Sequence, residues 1–162
     1  MPKLRSQNRQ NAEGSFTDTT NLRLLAELQV DARLSVAELG RRVGLSSPAV
    51  AERLHRLEQE QVIVGYHARL DPRKLGMALS AVIRVRPAPR QLHGVGKVAQ
   101  QTPEVVDCRR ITGEDCYIMT AHVRDVDHLE AVIDRFAAFG QTTTSIVQSA
   151  PVPERGLTLE FD

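Results

Sequence analysis

Arg41, Arg42, Arg53 and Arg56 stand close together in the chain, interleaved with Ser46, Ser47, Glu52 and His55. A guanidinium presents a planar fork of N–H donors that matches a phosphate or the O6/N7 edge of guanine. Serine hydroxyls beside the free N–H groups of a helix start suit phosphate as well. Glu52 can accept from a cytosine amine, or pair with Arg56 one turn further along a helix. A second chemistry belongs to Thr112-Gly113-Glu114-Asp115-Cys116 and to Gln141-Thr142-Thr143-Thr144. The first offers close backbone amides at Gly113 with carboxylates beside them, the second a side-chain amide and hydroxyls. Such a set can hold an ammonium and a carboxylate together, as a free amino acid requires. As plain structure, the same stretches read as a hairpin connection and a β-prone strand.

The elements that must position these residues follow from periodicity. Residues 1–16, with Lys3, Arg5 and Arg9 among Asn, Gln and Ser, read as a disordered tail. It is either a plain solvated tail or an arm that touches DNA phosphates. A first helix opens at Thr17 or Asp18 and buries Leu22, Leu25 and Leu28. Ser35 and Glu38 fit a capping box for a second helix, with Val36, Leu39 and Val43 inward. Gly44 makes the turn, Ser47 caps a third helix, and Pro48 takes its first position. Val50, Leu54 and Leu57 then face inward, which leaves Pro48, Ala49, Glu52, His55 and Arg56 outward, with Ser46, Ser47 and Arg53 at the entrance and flank. Arg41 and Arg42, ending the second helix, suit contacts to a nucleic-acid backbone. Two short helices across a glycine turn form a helix-turn-helix, which seats its second helix in the major groove. Val62 to Leu70 alternates and is expected to form a short hairpin or wing, completing a winged unit over 17–70.

A hinge over 71–78 follows, and the pattern changes. Strands are expected at 79–86, 105–111, 116–123 and 142–150, and helices at 93–101 and 125–139. This βαββαβ order predicts a ferredoxin-like antiparallel sheet over 79–152 with both helices on one face, then a tail over 153–162. The whole is an α+β chain.

Composition narrows the function classes. Of 162 residues 41% are hydrophobic and 4% aromatic, an ordinary globular profile whose core must be aliphatic. Residues 1–75 carry 12 Lys/Arg against 9 Asp/Glu, and residues 76–162 carry 9 against 11, a tilt towards polyanions in the first half. Cys108 and Cys116 match neither a disulfide framework nor a zinc motif, and read as free thiols in a reducing cytosol. The absence of an apolar signal or spanning segment points to a soluble cytoplasmic, nucleoid-associated protein with no membrane partner. His55, His67, His93, His122 and His128 show no metal-ligand spacing, and there is no nucleophile elbow or phosphate loop. Neither an enzyme, a metal nor a cofactor is expected.

The span 18–76, with LSVAELGRRVGLSSPAVAERLHRLE and VIVGYHARLDPRKLG, resembles the Lrp/AsnC family of feast/famine transcriptional regulators. ITGEDCYIM and GQTTTSIV extend the resemblance to about residue 150. It implies a winged helix-turn-helix joined to a ligand-sensing βαββαβ domain that dimerises and assembles further, as far as an octamer. It also implies a near-palindromic double-stranded DNA operator with half-sites about one helical turn, or a multiple of it, apart. By the same resemblance the two loops line effector pockets between subunits. Gly113, Asp115, Thr142 and Thr144 are then ligand candidates for a small effector, an amino acid, with Thr112, Glu114, Gln141 and Thr143 beside them. Three departures stand out. Gln61 occupies a position often held by Gly, Asn21 one where Asp is common, and Cys116 one where many members carry an acid three residues after the glycine. In a strand a one-residue shift reverses the face, so either Asp115 or Cys116 lines the pocket. The alternatives are an effector-independent architectural DNA-binding protein and an amino-acid-sensing regulatory subunit of an enzyme.

Overall fold

In a computed structural model, residues 16–160 are described. The disordered tail expected over 1–16 therefore lies, but for Phe16, outside the described residues. The chain forms two compact units, one of 16–68 with 154–160 and one of 69–153.

The first unit holds α1 (Thr19–Val30), α2 (Val36–Val43) and α3 (Ser47–Gln59). Asp18 caps α1, its Oδ1 accepting from the Asn21 N–H at 2.8 Å. The buried stripe of α1 is Asn21 and Leu24, with Leu28 partly buried, one residue out of phase with the expected Leu22 and Leu25. The reason is tertiary: Leu24 packs with Leu39 and Val50, while Asn21 turns its amide towards α3. The capping box is half formed. Ser35 Oγ accepts from the Glu38 N–H at 3.1 Å, but the Glu38 carboxylate is held by Arg41 and Arg42.

The turn between α2 and α3 depends on two glycines. Gly44 lies in the left-handed region, with φ 75°. A Cβ on Gly40 would sit 2.5 Å from the Leu45 carbonyl, so the close approach of the turn excludes any side chain there. α3 starts one residue earlier than expected: Ser46 caps it and Pro48 takes the second position. Gln61, just past α3, has φ 56°. Val62 and Ile63 bend back to the end of α3, both N–H groups donating to the Leu57 carbonyl, and 64–70 forms no strand with any of the described residues, so the expected hairpin or wing is not formed among them. A 3₁₀ turn, Pro72–Leu75, follows, capped by Asp71.

The second unit is β1 (Leu79–Pro87), α4 (Leu92–Gln100), β2 (Val105–Arg110), β3 (Tyr117–Val123), α5 (Val126–Ala137) and β4 (Gly140–Ile146). The strands form one antiparallel sheet in the order β2-β3-β1-β4. Alternation along β1 sends Ala81, Ile83 and Val85 into a core with Val95, Val132 and Phe136, so both helices cover one face. The opposite face carries Ser80, Val82, Arg84 and Arg86 from β1, Ile118, Thr120 and His122 from β3, and Gln141, Thr143 and Ser145 from β4. β4 ends at Ile146, short of the expected Ala150.

Candidate nucleic-acid interface and effector loops

The face of α3 left outside the core is Ser47, Pro48, Ala51, Glu52, His55 and Arg56, all exposed. Ala51 belongs to this stripe and was missed in the sequence; Ala49, expected there, is half-buried. Helical phase was readable, but only packing reveals how far the helix is rotated. Ser46 makes no side-chain cap bond, so the first-turn N–H groups of α3 are not occupied by its hydroxyl.

The four arginines divide into three settings. Arg41 donates through Nε and Nη2 to Glu38 at 2.9 and 2.6 Å. Arg42 bridges Glu38 and Glu27 at 2.8 and 2.6 Å, tying α2 to α1. Hydrogen bonds from Arg41 and then Arg42 hold the Glu38 carboxyl at about 2. Arg53 Nη1 donates to Asp18 at 2.9 Å and to Asn21 at 3.0 Å, which locks α3 to the start of α1. Burial opposes ionisation of Asp18, yet the Asn21 N–H and Arg53 outweigh it and lower its pKa. Arg56 lies with its guanidinium 5.5 Å from the centre of the Phe16 ring, a cation–π distance. Arg53 is thus a strut, whereas Arg56 projects from the exposed stripe.

Tyr66 donates to Glu58 at 2.9 Å, and burial together with that bond pushes its hydroxyl to about 12.

In the second unit the two loops reach the same end of the sheet. Arg86 stands between them, opposite Gln141 on β4 and paired with Glu114 and Asp115 on the other side. Arg84 lies 4.0 Å from Asp115. Sequence reading missed both arginines, although their alternation with Ile83 and Val85 placed them on one face. Asp115 and Cys116 precede β3, where strand alternation does not hold: Asp115 turns to the arginines, and Cys116 packs against the same core as its neighbour Tyr117. Thr142 and Thr144 pair with Val85 and Ile83, so they lie on the helix-covered face, while Gln141 and Thr143 lie on the other with Arg86 and Arg84, the partners of Asp115. Gly113 has φ 114° and nothing within 4 Å of where a Cβ would stand. Thr112 and Glu114 complete an exposed turn. Thr144 Oγ1 is buried with no hydrogen-bond partner, a feature that costs stability unless something fills it.

The remaining titratable groups serve structure. His122 Nδ1 meets Ser80 Oγ at 2.8 Å, and His128 Nε2 meets Glu104 at 2.8 Å, so the two rings have separate partners. Arg135 also bonds Glu104, and the His128 hydrogen bond leads the lowering of that carboxyl. Among the described residues no group of His, Cys, Asp and Glu is placed to hold a metal. Both cysteines are free, and burial with Asp107 raises the Cys108 thiol, the reverse of an activated nucleophile. No described helix is long and apolar enough to cross a membrane.

Comparison with known proteins bears on both units. The AsnC-type helix-turn-helix domain matches residues 18–58, and the Lrp/AsnC ligand binding domain matches residues 80–157. The HTH-type transcriptional regulator YezC of Bacillus subtilis is 38% identical over 133 residues, 82% of this chain and 94% of the relative. The leucine-responsive regulatory protein of Escherichia coli is 34% identical over 116 residues, 70% of this chain and 71% of the relative. The transcriptional regulator NMB0573 from Neisseria meningitidis, solved as a complex with L-Met, superposes with a TM-score of 0.77 at 27% identity, covering 85% of this chain and 93% of that one. A helix-turn-helix over α2 and α3, a βαββαβ unit later in the chain and these matches along both make the chain a member of the Lrp/AsnC family of transcriptional regulators, and not an enzyme.

Proposed function

We propose that the chain regulates transcription by sequence-specific binding to a near-palindromic DNA site, and that a small effector, an amino acid, modulates this binding or the protein's assembly. The observation that carries the reading is the pairing on one chain of an exposed α3 stripe with a separate ligand-binding unit. Arg56, His55 and Glu52 read base edges in this proposal, and Ser46, Ser47 and Pro48 bring the helix start to phosphate. Arg41 and Arg42 add backbone contacts, at the cost of releasing part of Glu38. Arg53 contributes through its lock on Asp18 rather than by touching DNA.

The effector class is supported by the leucine-responsive relative and the L-Met complex of the Neisseria regulator. Within one chain Asp115 and Thr144 lie on opposite faces of the sheet, so these candidates do not converge on one pocket unaided. A homodimer, or a higher assembly up to an octamer, supplies the missing walls. Two copies related by a twofold axis would also present paired α3 helices to two half-sites. Effector binding then shifts DNA binding to the extent that it favours one assembly over another.

Fluorescence anisotropy with the chain's own promoter region tests the first part, with an unrelated duplex as control. A thermal-shift screen of the free amino acids tests the second; a ligand at a hundred times its Kd adds about 2.7 kcal/mol. Thr144→Val should leave stability equal or higher, since it replaces a buried hydroxyl that has no partner, while removing the shift. If no amino acid shifts the melt, the architectural reading gains; equal affinity for every duplex would remove sequence-specific reading.

A further inference from the structure

Residues 154–160 group with the first unit, although the whole second unit precedes them in the chain. Gln29, on the last turn of α1, holds them there. Its Oε1 accepts from the Leu157 N–H at 2.6 Å, and its Nε2 donates to the Leu157 carbonyl at 3.1 Å. A carboxamide that meets both backbone groups of one residue pairs with it as a neighbouring strand would. Gly156 lets the chain come this close, because a Cβ there would overlap the Gln29 carboxamide oxygen. Leu159 is half-buried, while the Leu157 side chain stays exposed, so the backbone of Leu157 is what Gln29 grips.

Both ends of this contact lead to residues of the proposed function. Upstream, β4 carries Thr142 and Thr144, and its pairing with β1 runs on to Val147, whose N–H donates to the Ser80 carbonyl at 2.8 Å. Pro151 and Pro153 then fix φ in the connection, which makes it stiff enough to pass on a displacement. On the other side, α1 is tied to both members of the helix-turn-helix. Its Glu27 holds Arg42 of α2, and Asp18 with Asn21 holds Arg53 of α3.

We propose that residues 154–160 are a strap that couples the two units, so that effector occupancy at β4 shifts the docking of Leu157 on Gln29 and, through α1, the DNA-reading helices. Two exposed hydrogen bonds hold such a segment by only about tenfold once its ordering is counted. An effector with modest differential affinity for the docked and released forms therefore moves the equilibrium. By linkage, DNA on α3 biases the strap in return.

The inference rests on the effector reading, and two variants separate it from that reading. Gln29→Ala removes both hydrogen bonds and leaves a helix-favouring residue at an exposed position. Gly156→Ala displaces Gln29 from the other side. The full chain and both variants enter a thermal-shift screen of the free amino acids, L-leucine and L-methionine among them. Anisotropy with the promoter duplex is measured with and without each amino acid. In the wild type, the amino acid that raises the melt should change promoter affinity by about fivefold or more. In both variants the melt shift should persist, while the change in affinity falls below about twofold. Hydrogen exchange at the Leu157 amide should be faster in Gln29→Ala, and in the wild type it should change when the amino acid is added. Variants whose DNA binding responds as fully as that of the wild type would overturn the strap and leave the effector reading intact. A melt shift that leaves wild-type promoter affinity unchanged would also remove the coupling. A wild type whose melt and promoter affinity no amino acid changes would overturn both.

Discussion

Arg53 and Arg56 lie one helical turn apart and answer to different partners. Arg53 neutralises Asp18 and satisfies Asn21, a residue that is 7% exposed, so its loss strands polar groups that water reaches poorly. Arg53→Ala is expected to lower stability by about 1 kcal/mol, a figure kept small because the pair is partly solvated. The same change should weaken DNA binding only in proportion to the unfolded fraction. Arg56→Ala should do the opposite, moving the melt less than Arg53→Ala does and costing about 1–3 kcal/mol in binding to the preferred sequence. Urea titration and anisotropy on both variants check the division, and a stable Arg53→Ala that fails to bind would reverse it. Sequence placed both residues near the DNA-facing side but could not separate them, because the deciding partner, Asp18, is 35 residues away. Arg84 and Arg86 were invisible for a similar reason. Their role appears only when the sheet sets them beside Glu114 and Asp115.

At the scale of elements, the regular patterns were the readable ones. Alternation in β1 and helical spacing in α5 placed βαββαβ correctly, since burial on one face leaves a periodic trace. Ends and unpaired segments were less readable. Val62 to Leu70 has strand composition, yet strand formation needs a partner that none of the described residues provides. The end of α3 shows a local conflict, because Gln61 adopts φ 56°, a region that penalises any Cβ. Gln61→Gly should raise stability by about 1 kcal/mol, read as a higher urea midpoint at unchanged slope. α2 carries a pH signature of its own. Glu38 titrates at about 2, below its ordinary 4.5, because Arg41 and Arg42 hold its ionised form. A lowered folded-state pKa gives stability that is complete above about 4.5 and is lost as pH falls towards 2. Glu38→Gln should flatten the fall of the urea midpoint across that window, and identical profiles for the two proteins would count against the clamp.

For the whole molecule, the sheet has one face under α4 and α5 and another that mixes apolar and charged groups. Val82, Ile118 and Thr120 are half-buried at the middle of that second face, flanked by Arg84, Arg86 and Asp107. A twofold contact would use this patch on both copies, so a single substitution enters the interface twice. Thr120 is the position that separates assembly from folding. It pairs across the sheet with Val82 on one side and Asp107 on the other, so a lysine there has a carboxylate within the same chain. In a monomer the charge stays solvated and paired; in a face-to-face dimer it must be buried opposite its own copy. Thr120→Lys is therefore expected to sediment as a monomer at micromolar concentration and to retain most of its helical and sheet signal. Loss of the second α3 should also reduce affinity for a two-half-site duplex more than tenfold, while affinity for a single half-site stays within about twofold, as expected for avidity without new contacts. A dimeric Thr120→Lys would move the interface elsewhere. A monomer that still bound the paired site at full affinity would detach DNA reading from assembly altogether.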